Sequence, residues 1–382
     1  MTRFKENDPT IPPHAHEKIT SSGIGERALH LPFTFPSYCE ETASLELAEE
    51  DADPAHRAYN TGNIFYRLAN YEEALGAYQQ AIHYAPDLIQ AYQGLGNSFY
   101  RLQRYNEALD TFEQAPDHGE FSYSTGIILM ALRRYEEALA AFERTIAETR
   151  GYNAPAHVNR GIALYGLRRY EEALGAFEQA LHLAPHDALT YHNKAKALYG
   201  LKRYTEALHA CDEAIRLAPT YASIYNNRGN ALFGLKRYDE ALATYEQAIR
   251  LAPHDVRTFY NLGKAFYRLR RYDEALAVYE RIIDQAPHDE QAYYNKGNVL
   301  SHLKRYEEAL AAYDQALYLK PDDTQARRAR ERTNDRFKRY KDALTAPEKS
   351  IPLGDAETTR PTFHSYLNRS FKRLKEMLKP PK

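Results

Sequence analysis

Residues 225–255 read YNNRGNALFGLKRYDEALATYEQAIRLAPHD. Residues 293–323, YYNKGNVLSHLKRYEEALAAYDQALYLKPDD, repeat this stretch two units further along the chain. The unit is thirty-four residues long, and a fixed period of this size is typical of a stacked repeat array. Eight copies cover residues 55–88, 89–118, 119–153, 154–187, 188–221, 222–255, 256–289 and 290–323.

Each copy contains two apolar-periodic stretches, which predict a helix, a tight turn, a second helix and a stop. In the copy quoted first, these helices cover Tyr225 to Leu235 and Tyr238 to Leu251, and Pro253 ends the second. Gly229 and Ala241 are small residues, one on each helix, so the two helices can cross closely. The pattern therefore predicts an all-α fold.

The small residues and the prolines recur in register along the chain. The first-helix position reads Gly62, Gly96, Gly126, Gly161, Ala195, Gly229, Gly263 and Gly297. The second-helix position reads Ala74, Ala108, Ala138, Ala173, Ala207, Ala241, Ala275 and Ala309. A proline closes every copy except the third.

Over about 270 residues this pattern resembles the tetratricopeptide repeat. The resemblance implies a right-handed superhelical α-solenoid of about eight repeats with a degenerate C-terminal capping unit. A related class of helical repeats that reads single-stranded RNA has a similar length, but its pattern fits these small residues and prolines badly.

Five segments flank the array, and their composition, their phase with the repeats and their apolar spacing assign them. We expect a disordered or loosely docked leader at 1–39, an acidic capping segment at 40–54, a degenerate ninth repeat at 324–346, a linker at 347–361 and a basic amphipathic helix at 362–382. For residues 40–54 a short helix that covers the first repeat is favoured over an acidic recognition tail. The ninth repeat carries arginines at apolar positions of its first helix, and Pro347 stops its second helix, as suits a polar cap.

Composition and charge narrow the class of protein. The chain is 27% charged with a mean hydropathy of -0.68, so a soluble protein is expected. Two cysteines are too few for a disulfide framework, and the N-terminus lacks the apolar core of a secretory signal. These features predict a cytoplasmic protein.

Searches for catalytic and metal-binding motifs find nothing. The sequence lacks a glycine-rich phosphate loop, paired metal-binding cysteines and the His-Glu-x-x-His and Gly-x-Ser-x-Gly patterns. His186, His254 and His288 recur in the turns between copies, a full repeat apart, which is too far to share a metal ion. We therefore predict a protein that is not an enzyme and has no catalytic residue, metal or cofactor.

A second periodic pattern is not required by packing. The sixth residue of most copies is asparagine. The ninth residue is often asparagine or lysine, and the twelfth is usually tyrosine. The spacing of three places these positions on one face of the first helix. Asparagine is a middling helix former, but its amide both donates and accepts hydrogen bonds, as an extended peptide backbone requires. Tyrosine adds flat contact area with few rotors.

In proteins similar to this one, the first helices line a concave groove, and in one such protein an asparagine ladder at the matching position holds peptide backbone. We therefore predict a peptide-binding site formed by Asn159, Asn193, Asn227, Asn261, Asn295, Lys196, Asn230, Lys264, Asn298, Tyr199, Tyr267, Arg268, Tyr260 and Tyr294. The alternative is that these asparagines bond within or between helices and bind nothing.

The charges of the two helices differ. The first fourteen residues of the copies contain eleven Lys or Arg and two acids, whereas acids dominate the second helices. A cationic groove would favour an acidic ligand or a free carboxylate. The lysine that marks clamps for chaperone C-terminal tails is absent before the first asparagine, which argues against a chaperone-tail receptor. The basic pairs at the turns suit the helix dipole better than a nucleic-acid ridge.

The leading hypothesis is a non-enzymatic scaffold or adaptor that binds an extended, acidic peptide in its groove. One alternative is a self-assembling structural protein, because residues 1–54 carry four basic residues against eleven acids and residues 324–382 carry sixteen against seven. Another is attachment to an anionic membrane or nucleic acid through residues 362–382 alone, although docking of that helix on the array itself is preferred. Nucleic-acid binding by the array is disfavoured.

Overall fold

The computed structural model describes residues 53–116 and 118–345, and the regular structure within these ranges is entirely helical. Contacts divide the described chain into two compact units, residues 53–217 and residues 218–345. The predicted leader, most of the acidic segment, the linker and the C-terminal helix lie outside the described residues. The all-α repeat architecture is confirmed in both units.

Residues 53–217 contain five helix pairs. The second copy, residues 89–118, is shorter than the others because its second helix has 10 residues instead of the 14 found in the copy quoted first. A short 3-10 helix, His118–Phe121, precedes the third copy. The ten α-helices are α1 (Pro54–Arg67), α2 (Tyr71–Tyr84), α3 (Ile89–Arg101), α4 (Tyr105–Gln114), α5 (Ser122–Ala131), α6 (Tyr135–Glu148), α7 (Ala154–Gly166), α8 (Tyr170–Leu183), α9 (Ala188–Gly200) and α10 (Tyr204–Leu217).

Residues 218–345 contain three helix pairs followed by one long helix. The helices are α11 (Ala222–Gly234), α12 (Tyr238–Leu251), α13 (Val256–Arg268), α14 (Tyr272–Gln285), α15 (Glu290–His302), α16 (Tyr306–Leu319) and α17 (Thr324–Thr345). Asp255 and Asp289 cap α13 and α15 by accepting hydrogen bonds from backbone N–H groups of the first helical turn. These caps explain why an aspartate recurs two residues after several of the inter-repeat prolines.

The crossing of the two helices in a copy depends on a glycine beneath an aromatic ring. Tyr245 of α12 is 1% exposed and lies over Gly229 of α11. A Cβ atom at Gly229 would lie 2.4 Å from Cε1 of Tyr245, far inside van der Waals contact. Glycine at this position is therefore a steric requirement of the ring, and the same geometry recurs at Gly62, Gly96, Gly126, Gly161, Gly263 and Gly297.

The turn within a copy uses a non-glycine residue in the left-handed region. Lys236 has φ 61°, and its N–H donates to the carbonyl of Phe233. A left-handed non-glycine residue costs about 1 kcal/mol, so packing of the two helices must offset it. Arg237 then pairs with Glu240 at 2.6 Å, three residues into α12. Equivalent pairs in six other copies support the structural interpretation of the basic turn residues.

First helices of neighbouring copies contact one another. In residues 53–217, α1 contacts α3, α5 contacts α7 and α7 contacts α9. In residues 218–345, α11 contacts α13 and α15 contacts α17, while Tyr267 of α13 packs edge-on against His302 of α15 at 5.2 Å. The exposed faces of α11, α13, α15 and α17 thus form one surface, named here the first-helix surface.

The expected ninth repeat is one continuous helix instead of two. The sequence KRYKDAL at 338–344 aligns with the turn of earlier copies, yet α17 runs through it for 22 residues. A turn at this point would place Lys338 in the left-handed region, at a cost of about 1 kcal/mol. The preceding part of α17 is rich in arginine and offers little apolar surface to a second helix, so nothing offsets that cost.

Candidate peptide-binding surface

The predicted asparagines of residues 154–217 are buried. Asn159 is 0% exposed, and its amide nitrogen donates to the hydroxyl of Tyr123 in the preceding first helix at 2.7 Å. Asn193 is 4% exposed, and its Nδ2 has no hydrogen-bond partner among the described residues. In these two copies the amide lies between first helices and presents almost no surface to a ligand.

The corresponding asparagines of residues 218–323 are half-buried and reach the surface. Asn261 donates through Nδ2 to Oδ1 of Asn226 in the preceding first helix at 2.9 Å. Asn295 accepts a weak hydrogen bond from Gln291 at 3.4 Å, and Asn227 is also half-buried. The amide row that a peptide could touch is therefore formed by Asn227, Asn261 and Asn295.

The second row of asparagines has a role inside each copy. Asn230 accepts a hydrogen bond from the hydroxyl of Tyr245 at 2.8 Å, and Asn298 accepts one from Tyr313 at the same distance. Asn63 and Tyr78 form the equivalent pair in the first copy. These bonds satisfy a hydroxyl that would otherwise be buried without an acceptor, so part of the asparagine pattern is structural, as the alternative hypothesis stated.

The predicted aromatic residues divide into two groups. Tyr199 is 41% exposed, and Tyr267 is half-buried. Tyr260 and Tyr294 instead pack against Tyr279 and Tyr313, with ring centroids 6.2 and 6.1 Å apart. Burial raises the pKa of the Tyr260 hydroxyl, with the charge of Asp289 adding to the effect. Tyr260 therefore contributes packing more than contact area.

Several first-helix cations outside the predicted site are neutralised by ion pairs. Lys296 pairs with Glu280 at 3.0 Å, and Glu280 lies on the second helix of the preceding copy. Arg160 and Lys194 pair with second-helix acids in the same way. Lys196 lies over the ring of Tyr165 at 4.9 Å, Lys264 is half-buried, and Arg268 is exposed at the end of α13. A count of first-helix cations thus overstates the positive charge available to a ligand.

A pocket of about 150 Å³ opens on the first-helix surface between α13, α15, α16 and α17. Three of the predicted residues, Tyr267, Tyr294 and Asn298, line it together. Buried polar groups lie among its lining residues, since Tyr313 donates to Asn298 and the hydroxyls of Ser301 and Thr333 lie 3.2 Å apart. Burial raises the pKa of Tyr313, so this hydroxyl stays neutral and remains a donor.

Sequence reasoning missed the arginines of this pocket. Arg328, Arg332 and Arg336 of α17 line it from the C-terminal side. From the sequence, the arginines at the start of the ninth repeat indicate only a polar cap. The four-residue spacing of these arginines places all three side chains on one face of a helix, and this spacing could have indicated the site from the sequence.

The family of the chain follows from matches to family models. A tetratricopeptide repeat model matches residues 94–157, 123–188, 226–290 and 260–324, which together exceed half of the chain. A second tetratricopeptide repeat model matches residues 186–254, and a TPR repeat model matches residues 62–103. The chain therefore belongs to the tetratricopeptide repeat family, whose members are in general non-enzymatic scaffolds for interactions between proteins.

Solved structures of repeat proteins are similar to this chain. The TPR protein YrrB, described with an unusual peptide-binding site, is 25% identical and covers 50% of this chain and 98% of its own, with a TM-score of 0.42. The thermophilic TPR protein TTC0263 of Thermus thermophilus is 26% identical and covers 48% of this chain and 98% of its own, with a TM-score of 0.41. The Cut9-Hcn1 structure is 16% identical with a TM-score of 0.52, and the match covers 75% of this chain but only 58% of that one. This last similarity supports the fold alone.

No match is found among curated proteins. Within residues 53–116 and 118–345, no helix has the length and apolar character needed to cross a bilayer. The same part of the chain has no group of three or more His, Cys, Asp or Glu side chains arranged to hold a metal ion.

Proposed function

We propose that the chain is a scaffold that binds an extended peptide on the first-helix surface of residues 218–345. The observation that carries this proposal is the pocket in which Tyr267, Tyr294 and Asn298, predicted independently as ligand contacts, come together. A concave site with aromatic walls and a few convergent polar groups is the usual form of a recognition site.

Asn227, Asn261 and Asn295 extend the proposed site beyond the pocket. They lie on consecutive first helices, and the Asn261–Asn226 bond joins two of these helices through their amides. A peptide that crosses successive first helices would meet one partly exposed amide in each copy. Amides that both donate and accept can pair with the N–H and C=O groups of such a peptide whatever its side chains.

The acidic character of the ligand is a narrower part of the proposal. The ion pairs of Arg160, Lys194 and Lys296 weaken the argument from first-helix charge. Support comes instead from the pocket, whose lining contains three arginines and no acid. A cationic site of this kind favours an anionic partner and speeds its association.

The test uses the full chain and a display library of random peptides. A peptide enriched by the chain is synthesised, and its affinity is measured by calorimetry for the wild type and for the combined variant Asn227→Ala, Asn261→Ala and Asn295→Ala. Loss of hydrogen bonds worth about 1 kcal/mol each predicts a loss of affinity of at least about tenfold. The melting temperature shows whether the variant remains folded.

The matched control removes three exposed amides from second helices, by Asn106→Ala, Gln114→Ala and Gln179→Ala. This variant should bind the selected peptide as the wild type does. Failure to enrich any peptide, or equal affinity of the two triple variants, would overturn the proposal.

A further inference from the structure

The arginines of α17 are not equivalent. Arg330 forms an ion pair with Asp314, and Arg327 donates to the carbonyl of Pro321 at 2.7 Å. Arg328, Arg332 and Arg336 are exposed and form no ion pair with the described residues. Two arginines thus hold α17 against the last repeat, while three others face the pocket without a counter-charge from this part of the chain.

The surroundings of these three arginines suit an anion. The pocket is also lined by Gln325, Ser301 and Thr333, which can donate hydrogen bonds, and no carboxylate appears in its lining. Guanidinium groups pair with carboxylates through two parallel hydrogen bonds, and such charge-assisted bonds are about twice as strong as neutral ones.

The spacing of the arginines defines the kind of anion. Residues four apart on a helix are separated by about 6 Å along its axis, so the three arginines span about 12 Å. A single phosphate or carboxylate is smaller than the distance between the backbone positions of Arg328 and Arg336. Alternate residues of an extended peptide are about 6.6 Å apart and point to the same side, which nearly matches the step between these arginines.

We infer that α17 reads acidic residues at alternate positions of an extended peptide. Arg328, Arg332 and Arg336 each pair with one carboxylate, and the residues between the acids face away from the helix. This inference rests on the proposed function and adds a sequence requirement to it. It gives α17 a recognition role in addition to its packing against the eighth repeat.

The test compares two labelled peptides of identical composition by fluorescence anisotropy with the full chain. One peptide has three glutamates at alternate positions, and the other has the same glutamates in a row. Because only the first can engage all three arginines while extended, it should bind at least about tenfold more tightly, equivalent to about 1.4 kcal/mol. Equal affinity of the two peptides would overturn the inference.

Two charge-matched variants separate a specific site from general attraction. The combined variant Arg328→Gln, Arg332→Gln and Arg336→Gln should lose at least about tenfold in affinity for the alternating peptide. The control Lys338→Gln, Arg339→Gln and Lys341→Gln removes the same charge from residues of α17 outside the pocket lining. It should change affinity by less than about threefold, as expected for screened surface charges. Equal losses in both variants would overturn the inference.

Inorganic phosphate serves as a competitor at constant ionic strength. If the site is built for spaced carboxylates, phosphate should displace the alternating peptide no better than chloride does at the same ionic strength. Specific displacement by millimolar phosphate would overturn it in favour of a single-oxyanion site.

The library-selected peptide distinguishes failure of this inference from failure of the proposed function. If that peptide needs Asn227, Asn261 and Asn295 but binds equally well to the arginine variant, the first-helix surface is the binding site and the alternating-acid requirement is wrong. If neither variant affects any peptide, both are wrong.

Discussion

The two units of the chain form the same helix crossing with different side chains. In residues 218–345 every second helix places a tyrosine over the first-helix glycine, namely Tyr245, Tyr279 and Tyr313. In residues 53–217 the corresponding residues are Tyr78, Phe112, Phe142, Phe177 and Cys211. Cys211 is fully buried, and its copy has Ala195 in place of the glycine.

This comparison explains part of the asparagine pattern. Where the ring carries a hydroxyl that donates to its own first helix, the acceptor is Asn63, Asn230 or Asn298. Where the ring is Phe142 or Phe177, the same first-helix position holds Ile127 or Ile162. An asparagine at this first-helix position therefore accepts a hydrogen bond from its own copy where the residue sixteen positions after the glycine is a tyrosine.

The largest effect is expected from replacing the first-helix glycine that lies beneath a tyrosine ring. Gly229→Ala places a Cβ atom 2.4 Å from Cε1 of Tyr245, so the buried ring or one of the two helices must shift. We expect a loss of about 1–3 kcal/mol in the free energy of unfolding, as for other overpacked cores. Urea denaturation followed by circular dichroism measures the loss.

Gly175→Ala is the matched control. Gly175 lies within α8, and a Cβ atom there meets nothing within 4 Å. Since alanine is the better helix former, this variant should gain about 0.5–1 kcal/mol. Equal losses at Gly175 and Gly229 would show that the crossing is not the cause.

The next largest effect is expected at Cys211 and Ala195, where the small side chain of Cys211 leaves room for the Cβ atom of Ala195. Cys211→Tyr alone should be destabilising by about 1–3 kcal/mol, because the new ring meets the Cβ atom of Ala195. Adding Ala195→Gly restores the geometry found in the sixth copy and should recover at least half of the loss. A double-mutant cycle by urea denaturation should give a coupling of about 1 kcal/mol or more. Additive effects would contradict this account.

A smaller effect is expected when a crossing that has phenylalanine over the glycine is converted into one that has tyrosine. Asn97 is buried opposite Phe112, and its Oδ1 accepts no hydrogen bond from the described residues. Phe112→Tyr should supply the missing donor, as Tyr78 does for Asn63, and stabilise the fold by about 1 kcal/mol. Thermal and urea denaturation measure the gain.

Phe142→Tyr provides the contrast, because Ile127 cannot accept a hydrogen bond from the new hydroxyl. That variant should be destabilised by about 1–3 kcal/mol. Stabilisation of both variants, or of neither, would refute the link between the ring hydroxyl and the asparagine.

The smallest effect concerns acid stability. Hydrogen bonds from the arginines three residues earlier hold the pKa of Glu107, Glu137, Glu172 and Glu206 in residues 53–217 below the ordinary value of 4.5. A lowered carboxyl pKa stabilises the fold above about pH 4.5, and this contribution is lost as the pH falls further. The pairs are exposed, so each contributes little.

Replacing these four glutamates by glutamine should flatten the fall in melting temperature between pH 5 and pH 3. Differential scanning fluorimetry over that pH range measures the slope in the variant and in the wild type. An unchanged slope would show that these pairs do not contribute to acid sensitivity.

The sequence was sufficient to predict the repeat architecture. A thirty-four-residue period with glycine and alanine in register implies two crossing helices, and the ring above Gly229 shows why the glycine is needed. The shortened second copy was also predictable, because a missing helical turn changes the register of every later residue. These features depend on local periodicity, which a sequence displays directly.

Features that depend on neighbouring copies were not predictable in the same way. Asn159 and Asn261 occupy equivalent positions, yet Asn159 is sealed by contact with Tyr123 while Asn261 remains half-buried beside Asn226. The charge count likewise missed the pairing of Lys296 with Glu280 on another helix. Exposure and pairing are set by side chains from adjacent repeats, and a pattern read along one copy does not include them.

The uninterrupted course of α17 limits how the protein could be lengthened by engineering. A consensus repeat inserted after Asp323 would receive the apolar face that α17 now covers, and α17 would then seal the new end. The same repeat attached after Thr345 would follow a helix that does not fold back on the array within the described residues. The array of the described residues is therefore better lengthened by insertion before α17 than by addition after it.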